Sequence, residues 1–294
     1  MEQKDPNLKE LKNLISQLEN LHKPKPKPKK GDWLAEHKEK NQTFEQYLES
    51  SPTQVKENQK FIYIQPIGIF TGKARKIIED LEEYLRKFFG IETKVFEDLT
   101  IEKFPSKAQR IHPDWGDFQL ETHYIMDEIL VPSLPKDAVM LIALSLYDLW
   151  PGKNWNFVFG MAYLHKRVGV WSIYRNGDPE ESEESYQLCL SRTLKTASHE
   201  IGHIFSIPHC ILHPCNMNGS NNRVESDDHP HYLCPSCLAK LCYATKQSPL
   251  SHLSNCRDFF EKVGFSQSQE MYELSLSILK SDEKKEIEES NNQN

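Results

Sequence analysis

The sequence lacks any apolar run that approaches the roughly 20 residues needed to cross a bilayer. Its first thirty residues are charged and polar, without the apolar core and small-residue cleavage site of a secretory signal. The net charge of -7 favours neither nucleic acid nor a membrane surface as a general partner. We therefore expect a monomeric protein of the cytoplasm, with the nucleus as the alternative, that has no nucleic-acid or membrane partner.

The Lys-Pro stretch near the start of the chain and the last fourteen residues have few apolar residues that could form a folded core. Residues 23 to 30 read KPKPKPKK, and this alternation can neither continue a helix nor bury apolar surface. From Ser281 on, the sequence reads SDEKKEIEESNNQN, a composition typical of a frayed or disordered end. The sequence predicts a charged, partly disordered arm over residues 1–50 and an acidic disordered tail over 281–294. One folded domain is expected over 51–280, with a C-terminal subdomain from about residue 206.

No cysteine occurs before Cys189, and all seven lie between residues 189 and 256. A disulfide framework would be spread more evenly, and a reducing compartment would disfavour it. Because these cysteines cluster beside histidines, the pattern indicates metal binding.

The middle of the chain alternates strand-like and helix-like segments. Residues 138 to 147, AVMLIALSLY, are compatible with a buried strand or a short buried helix, and the flanking turn signals favour the strand. Further strands are predicted at 61–70, 93–97, 156–164 and 168–175, and helices at 72–89, 121–131, 186–205, 256–263 and 268–280. This order predicts an α/β (α+β) fold, a mixed sheet with flanking helices.

The predicted helix over 186–205 carries the sequence HEIGH at its end. His199 and His203 are four residues apart, so they project from one helix face and can share one metal ion, for which zinc is suited. Glu200 is rotated by about 100° around the same helix and can reach a water bound to that metal. The spacing therefore predicts Glu200 as a general base.

A third histidine follows after a predicted chain turn. If the helix continued, His209 would lie about 9 Å further along its axis, on another face. Pro208 stops the helix and favours an extended conformation at Ile207. Three imidazole nitrogens would leave a fourth tetrahedral position for water, which is typical of catalytic zinc.

Four cysteines form a second candidate metal site. Cys210 and Cys215 are separated by four residues, and Cys234 and Cys237 by two. Two such pairs are typical of a closed, structural zinc. The sequence thus predicts two zinc ions per chain. We interpret Cys189, Cys242 and Cys256 as buried apolar thiols, and His213, His229 and His231 as residues that do not ligate metal.

The pattern HExxHxxxxxHCxxxxCxM followed by CxxC resembles that of the archaemetzincins, a branch of the metzincin zinc metallopeptidases. The resemblance covers residues 199–237 closely and extends more loosely to FIYIQPIG and LYDLWPGKNWNFVFG upstream. It implies a metzincin-like catalytic domain with a Cys-rich zinc-binding subdomain, and peptides or proteins as substrates. It also implies that Met217 forms the methionine turn beneath the metal.

One position departs from the family pattern. Metzincins usually have glycine where this chain has Ser206, at which the backbone leaves the helix, often in a left-handed conformation. A residue with a Cβ atom there costs roughly 1 to 2 kcal/mol. The expected function is a zinc metallopeptidase; the alternative is a zinc-stabilised binding or scaffold protein with weak or lost activity. The absence of cysteine upstream of Cys189 leads us to expect no latency through a cysteine switch.

Overall fold

The computed structural model describes residues 7–153, 155–163 and 165–292, with only the backbone from 282 onward. The other residues include parts of the expected arm, tail and 156–164 strand, and for those parts the predictions lie outside the described residues. Among the helices of the described part, none is long and apolar enough to span a membrane.

The strands, in chain order, are β1 (Phe61–Ile67), β2 (Glu92–Val95), β3 (Gln109–Ile111), β4 (Phe118–Glu121), β5 (Ala138–Ser145), β6 (Asp148–Trp150), β7 (Gly160–Tyr163) and β8 (Val168–Ser172). The α-helices are α1 (Leu8–Leu18), α2 (Trp33–Glu36), α3 (Phe44–Glu49), α4 (Gly72–Phe89), α5 (Thr122–Tyr124), α6 (Val131–Ser133), α7 (Glu183–Ile204), α8 (Arg223–Asp227), α9 (Pro235–Thr245), α10 (Pro249–Val263) and α11 (Ser266–Asn292). A π-helical stretch, Ile125–Leu130, connects α5 to α6.

The chain forms two units. The sheet unit comprises Val55–Arg86 and Ile91–Ser206. The cysteine unit comprises the described residues up to Gln54, the short piece Lys87–Gly90, and the described residues from Ile207 onward. The N-terminal segment therefore belongs to the same unit as the C-terminal third of the chain, whereas the sequence suggested a separate arm.

The sheet unit contains a five-stranded mixed sheet with the order β2-β1-β5-β8-β7. Strands β2, β1, β5 and β8 are parallel, and β7 pairs antiparallel with β8 at one edge. Every residue of β5 is buried, as expected for a central strand covered on both faces. This arrangement confirms the predicted fold class and the choice of strand over helix for this segment.

Two features of the sheet unit differ from the sequence prediction. A small second sheet, with the order β3-β4-β6, was missed because its strands have only three or four residues each. The helix predicted to end before Pro132 continues through it to Ser133. Pro132 lies at the start of a new helical turn, where its missing N–H is not needed.

In the cysteine unit, α1 packs against α9 and α11. Leu11, Leu14 and Leu18 form the buried face of α1, so this part of the expected arm is an ordered amphipathic helix. The Lys-Pro segment itself is in neither helix nor strand over residues 24 to 29. The backbone of α11 is helical to Asn292, whereas the sequence suggested disorder from Ser281.

Candidate active site and zinc centres

Helix α7 carries the H-E-x-x-H sequence on its last turns. The helix begins after Ser182, whose side chain accepts a hydrogen bond from the backbone N–H of Ser185 at 3.0 Å. Near the other end, the hydroxyl of Tyr84 donates to Oγ of Ser198 at 3.0 Å, in the buried interior of the sheet unit. Ser198 in turn donates to the carbonyl of Leu194 at 2.8 Å. These bonds fix the helix immediately before the histidines.

His199 and His203 converge as the four-residue spacing predicted. Their Nε2 atoms lie 3.0 Å apart, and their rings are nearly perpendicular, with an interplanar angle of 85°. Two nitrogens bound to one tetrahedral zinc at about 2.0 to 2.1 Å would be about 3.3 Å apart. The observed pair therefore fits a shared zinc ion with very little adjustment.

Glu200 is partly buried beside this pair, and burial raises the pKa of its carboxyl to about 7. Gly160, at the start of β7, lies close to it: a Cβ atom at position 160 would be 3.5 Å from Cγ of Glu200 and 2.9 Å from Cβ of Trp171. The edge strand can approach the helix this closely because residue 160 has no side chain. Sequence reasoning missed Gly160, since nothing local to it indicates the neighbour on α7.

The chain leaves α7 through a left-handed residue, as the comparison with glycine at this position suggested. Ser206 has a φ of 65°, and its backbone N–H donates to the carbonyl of His203 at 2.8 Å. The next residues belong to the cysteine unit. There, His209 is partly buried, and its Nδ1 lies 2.8 Å from Oε1 of Glu39.

The cysteine unit brings together the four cysteines singled out from the sequence. All four are buried, and their Sγ atoms lie within 4.8 Å of one another. The Sγ atoms of Cys210 and Cys234 are 3.6 Å apart, close to the roughly 3.8 Å expected for two thiolates on one tetrahedral zinc with bonds of about 2.3 Å. The set fits a closed metal site.

The ionisation of these thiols also indicates that a cation would bind among them. Hydrogen bonds from the neighbouring thiols lower the pKa of Cys210, whereas burial raises the pKa of Cys215. Four buried thiolates cannot coexist without a compensating positive charge. A zinc ion would supply that charge.

A buried asparagine that sequence reasoning missed organises the loop between the first two cysteines. The side-chain Nδ2 of Asn218 donates to the carbonyls of Cys210 and His213, at 2.7 and 3.0 Å. Its Oδ1 accepts from the backbone N–H of Cys215 at 3.0 Å. Its position immediately after the expected methionine was the only signal in the sequence.

The remaining candidates lie as follows. Met217 is fully buried, and its carbonyl accepts from the backbone N–H of Cys210 at 2.7 Å. His213 is buried outside the four-cysteine group, with Nδ1 3.0 Å from the carbonyl of Lys23. The three other cysteines, Cys189, Cys242 and Cys256, are buried as expected.

Comparison with known proteins gives consistent matches. The model of peptidase family M54 matches residues 139–242. Archaemetzincin-2 of Rattus norvegicus is 32% identical over 254 residues, covering 76% of this chain and 70% of that protein. Archaemetzincin of Pyrococcus horikoshii is 30% identical over 186 residues, covering 58% of this chain and 89% of that protein.

A solved structure supports the fold. The crystal structure of archaemetzincin from Methanopyrus kandleri superimposes with a TM-score of 0.50, at 24% identity, over 65% of this chain and 97% of that one.

These findings define a class, the zinc-dependent metallopeptidases, which are hydrolases acting on peptides or proteins. Within that class, the chain belongs to the archaemetzincin family, a metzincin family also described as peptidase family M54.

Proposed function

We propose that the protein hydrolyses peptide bonds with a catalytic zinc held by His199, His203 and His209, and with Glu200 as general base. The observation that carries the proposal is the convergence of two Nε2 atoms to 3.0 Å beside a carboxyl whose pKa is raised to about 7. A purely structural histidine site has no need of such a carboxyl.

The third ligand follows from the chain path and the donor chemistry. Helix α7 ends at Ile204, Ser206 takes a left-handed conformation just beyond it, and His209 offers an imidazole three residues after Ser206. Three imidazole nitrogens would supply three of the four ligands that zinc usually takes. A fourth position would then be open to water or substrate, as catalysis requires.

Zinc bound there would polarise the substrate carbonyl and make water acidic enough to react near neutral pH. Glu200 takes the proton from the attacking water, because burial has raised its proton affinity. It then passes this proton to the leaving amine. His199 and His203 would hold the metal through Nε2 from the last turns of α7.

The same proposal assigns a second zinc to Cys210, Cys215, Cys234 and Cys237, which gives two zinc ions per chain. The closeness of their buried sulfur atoms supports this assignment. We further propose that Met217 forms the methionine turn, on the basis of its burial and its place in the family pattern, and that the protein acts as a monomer.

The decisive experiment measures peptide hydrolysis by the zinc-loaded protein and by a Glu200→Gln variant over a broad peptide library. A matched control is Glu184→Gln, which neutralises an exposed glutamate on the first turn of the same helix. We expect Glu200→Gln to lose at least about 100-fold in kcat, as for removal of a general base, while Glu184→Gln stays at the wild-type rate. Equal hydrolysis by all three proteins would overturn the role of Glu200 as general base, whereas no hydrolysis by any of them would instead favour a zinc-stabilised binding protein.

A further inference from the structure

The N-terminal segment of the cysteine unit places a carboxylate against the third histidine. Oε1 of Glu39 lies 2.8 Å from Nδ1 of His209, within hydrogen-bond distance. We propose that Glu39 is a positioning residue, which holds the imidazole of His209 in the tautomer and orientation needed to bind zinc. This inference rests on the proposed role of His209 as a zinc ligand.

The contact selects one of the two ring nitrogens for the metal. An N–H at Nδ1 that donates to a carboxylate leaves the unshared electron pair on Nε2. His199 and His203 also converge through Nε2. A carboxylate on the opposite nitrogen raises the basicity of the imidazole and fixes the plane of its ring.

The burial of one carboxylate oxygen of the half-buried Glu39 argues against a role in stability alone. Oε2 of Glu39 is buried and has no hydrogen-bond partner among the described residues. A buried carboxylate oxygen without a partner costs free energy of folding, so such groups call for a specific explanation. The contact of the other oxygen with His209 provides that explanation.

The segment that carries Glu39 is anchored by Trp33. The backbone N–H of Trp33 donates to both carboxylate oxygens of Glu225, at 2.9 and 3.0 Å. A Cβ atom on Gly219 would lie 2.6 Å from the indole, so the ring packs directly on that glycine. The indole and the ring of His209 are nearly perpendicular, at an interplanar angle of 81°, with centroids 5.0 Å apart. Trp33 therefore restrains both the histidine and the segment that leads to Glu39.

The experiment compares the wild type with Glu39→Gln and Glu39→Asp. Its matched control is Glu36→Gln, an exposed glutamate on α2, three residues earlier. Zinc affinity is measured by competition with a chromophoric chelator. The same proteins loaded with cobalt(II) give separate absorption signals for a histidine site and a thiolate site. The thiolate signal serves as an internal check that the cysteine unit is folded.

We expect Glu39→Gln to weaken zinc binding at the histidine site by about 10-fold or more, the usual effect of losing such a carboxylate. Its cobalt histidine bands should change while the thiolate bands stay. Glu39→Asp, which keeps the charge, should lie between Glu39→Gln and the wild type. If Glu39→Gln binds zinc and absorbs like Glu36→Gln, the role of Glu39 is wrong.

His203→Ala separates this outcome from failure of the proposed function. Loss of one zinc in His203→Ala together with an unchanged Glu39→Gln overturns the role of Glu39 alone. Retention of every bound zinc in His203→Ala overturns the histidine site itself, and the role of Glu39 with it.

Discussion

Replacing Ser206 with glycine should make the protein more stable. Ser206 has a φ of 65°, and its N–H closes the last turn of α7 on the carbonyl of His203. At this φ a Cβ atom crowds the following carbonyl, whereas glycine adopts the conformation freely.

The magnitude follows from two opposing effects. The left-handed conformation costs a residue with a Cβ atom about 1 to 2 kcal/mol. Glycine loses more freedom on folding, at a cost of about 0.5 to 1 kcal/mol. The net gain in the free energy of unfolding should be about 0.5 to 1 kcal/mol, or a rise in Tm of about 1 to 3 °C for a chain of this size.

The assay is thermal and urea unfolding with zinc held in excess, so that metal loss does not mask the backbone effect. Lys246→Gly is the matched control, because Lys246 ends α9 with a φ of 62° and is no proposed ligand. Both variants should be stabilised by similar amounts. If Lys246→Gly gains stability and Ser206→Gly loses it, the serine side chain stabilises the fold by more than the backbone strain costs, and strain does not govern stability at this position.

Two other measurements test the cysteine unit. Burial lowers the pKa of His252 to about 4 from 6.5. The stability that the neutral His252 side chain contributes is therefore present above pH 6.5 and is lost as the pH falls towards 4. The total loss in the free energy of unfolding should be about 3 kcal/mol. His252→Gln should therefore flatten the dependence of the unfolding free energy on pH over this range, and an unchanged slope would contradict the argument. Replacing Cys234 and Cys237 together with serine should remove one zinc per chain, measured by elemental analysis, and lower Tm. The control is Cys242→Ser, at a buried thiol outside the group, which should keep the full zinc content. Equal zinc content in both variants would refute the four-cysteine site.

Features that depend on local spacing could be predicted from the sequence. The four-residue interval of His199 and His203 becomes one helix face whenever the segment is helical, because helix geometry is fixed. The continuous apolar run of β5 predicted a strand that is covered on both faces of a sheet, because any exposed face would leave apolar side chains in water. The end of the helix before Pro208 could be predicted locally, and the left-handed conformation at Ser206 was expected from the resemblance to metzincins, which usually have glycine there.

Features that depend on distant pairs could not be predicted in this way. Glu39 is 170 positions from His209 in the sequence, and no periodicity connects the two. The same holds for Trp33 on Gly219 and for Gly160 beside Glu200. The leucines of α1 do have the spacing of one apolar helix face, but the charged residues around them favoured the prediction of a disordered arm. The sequence alone therefore determined which residues can bind zinc, since ligand chemistry and helical spacing are local properties. Only the tertiary structure decided which side chains hold those ligands in place, since long-range packing brings them together.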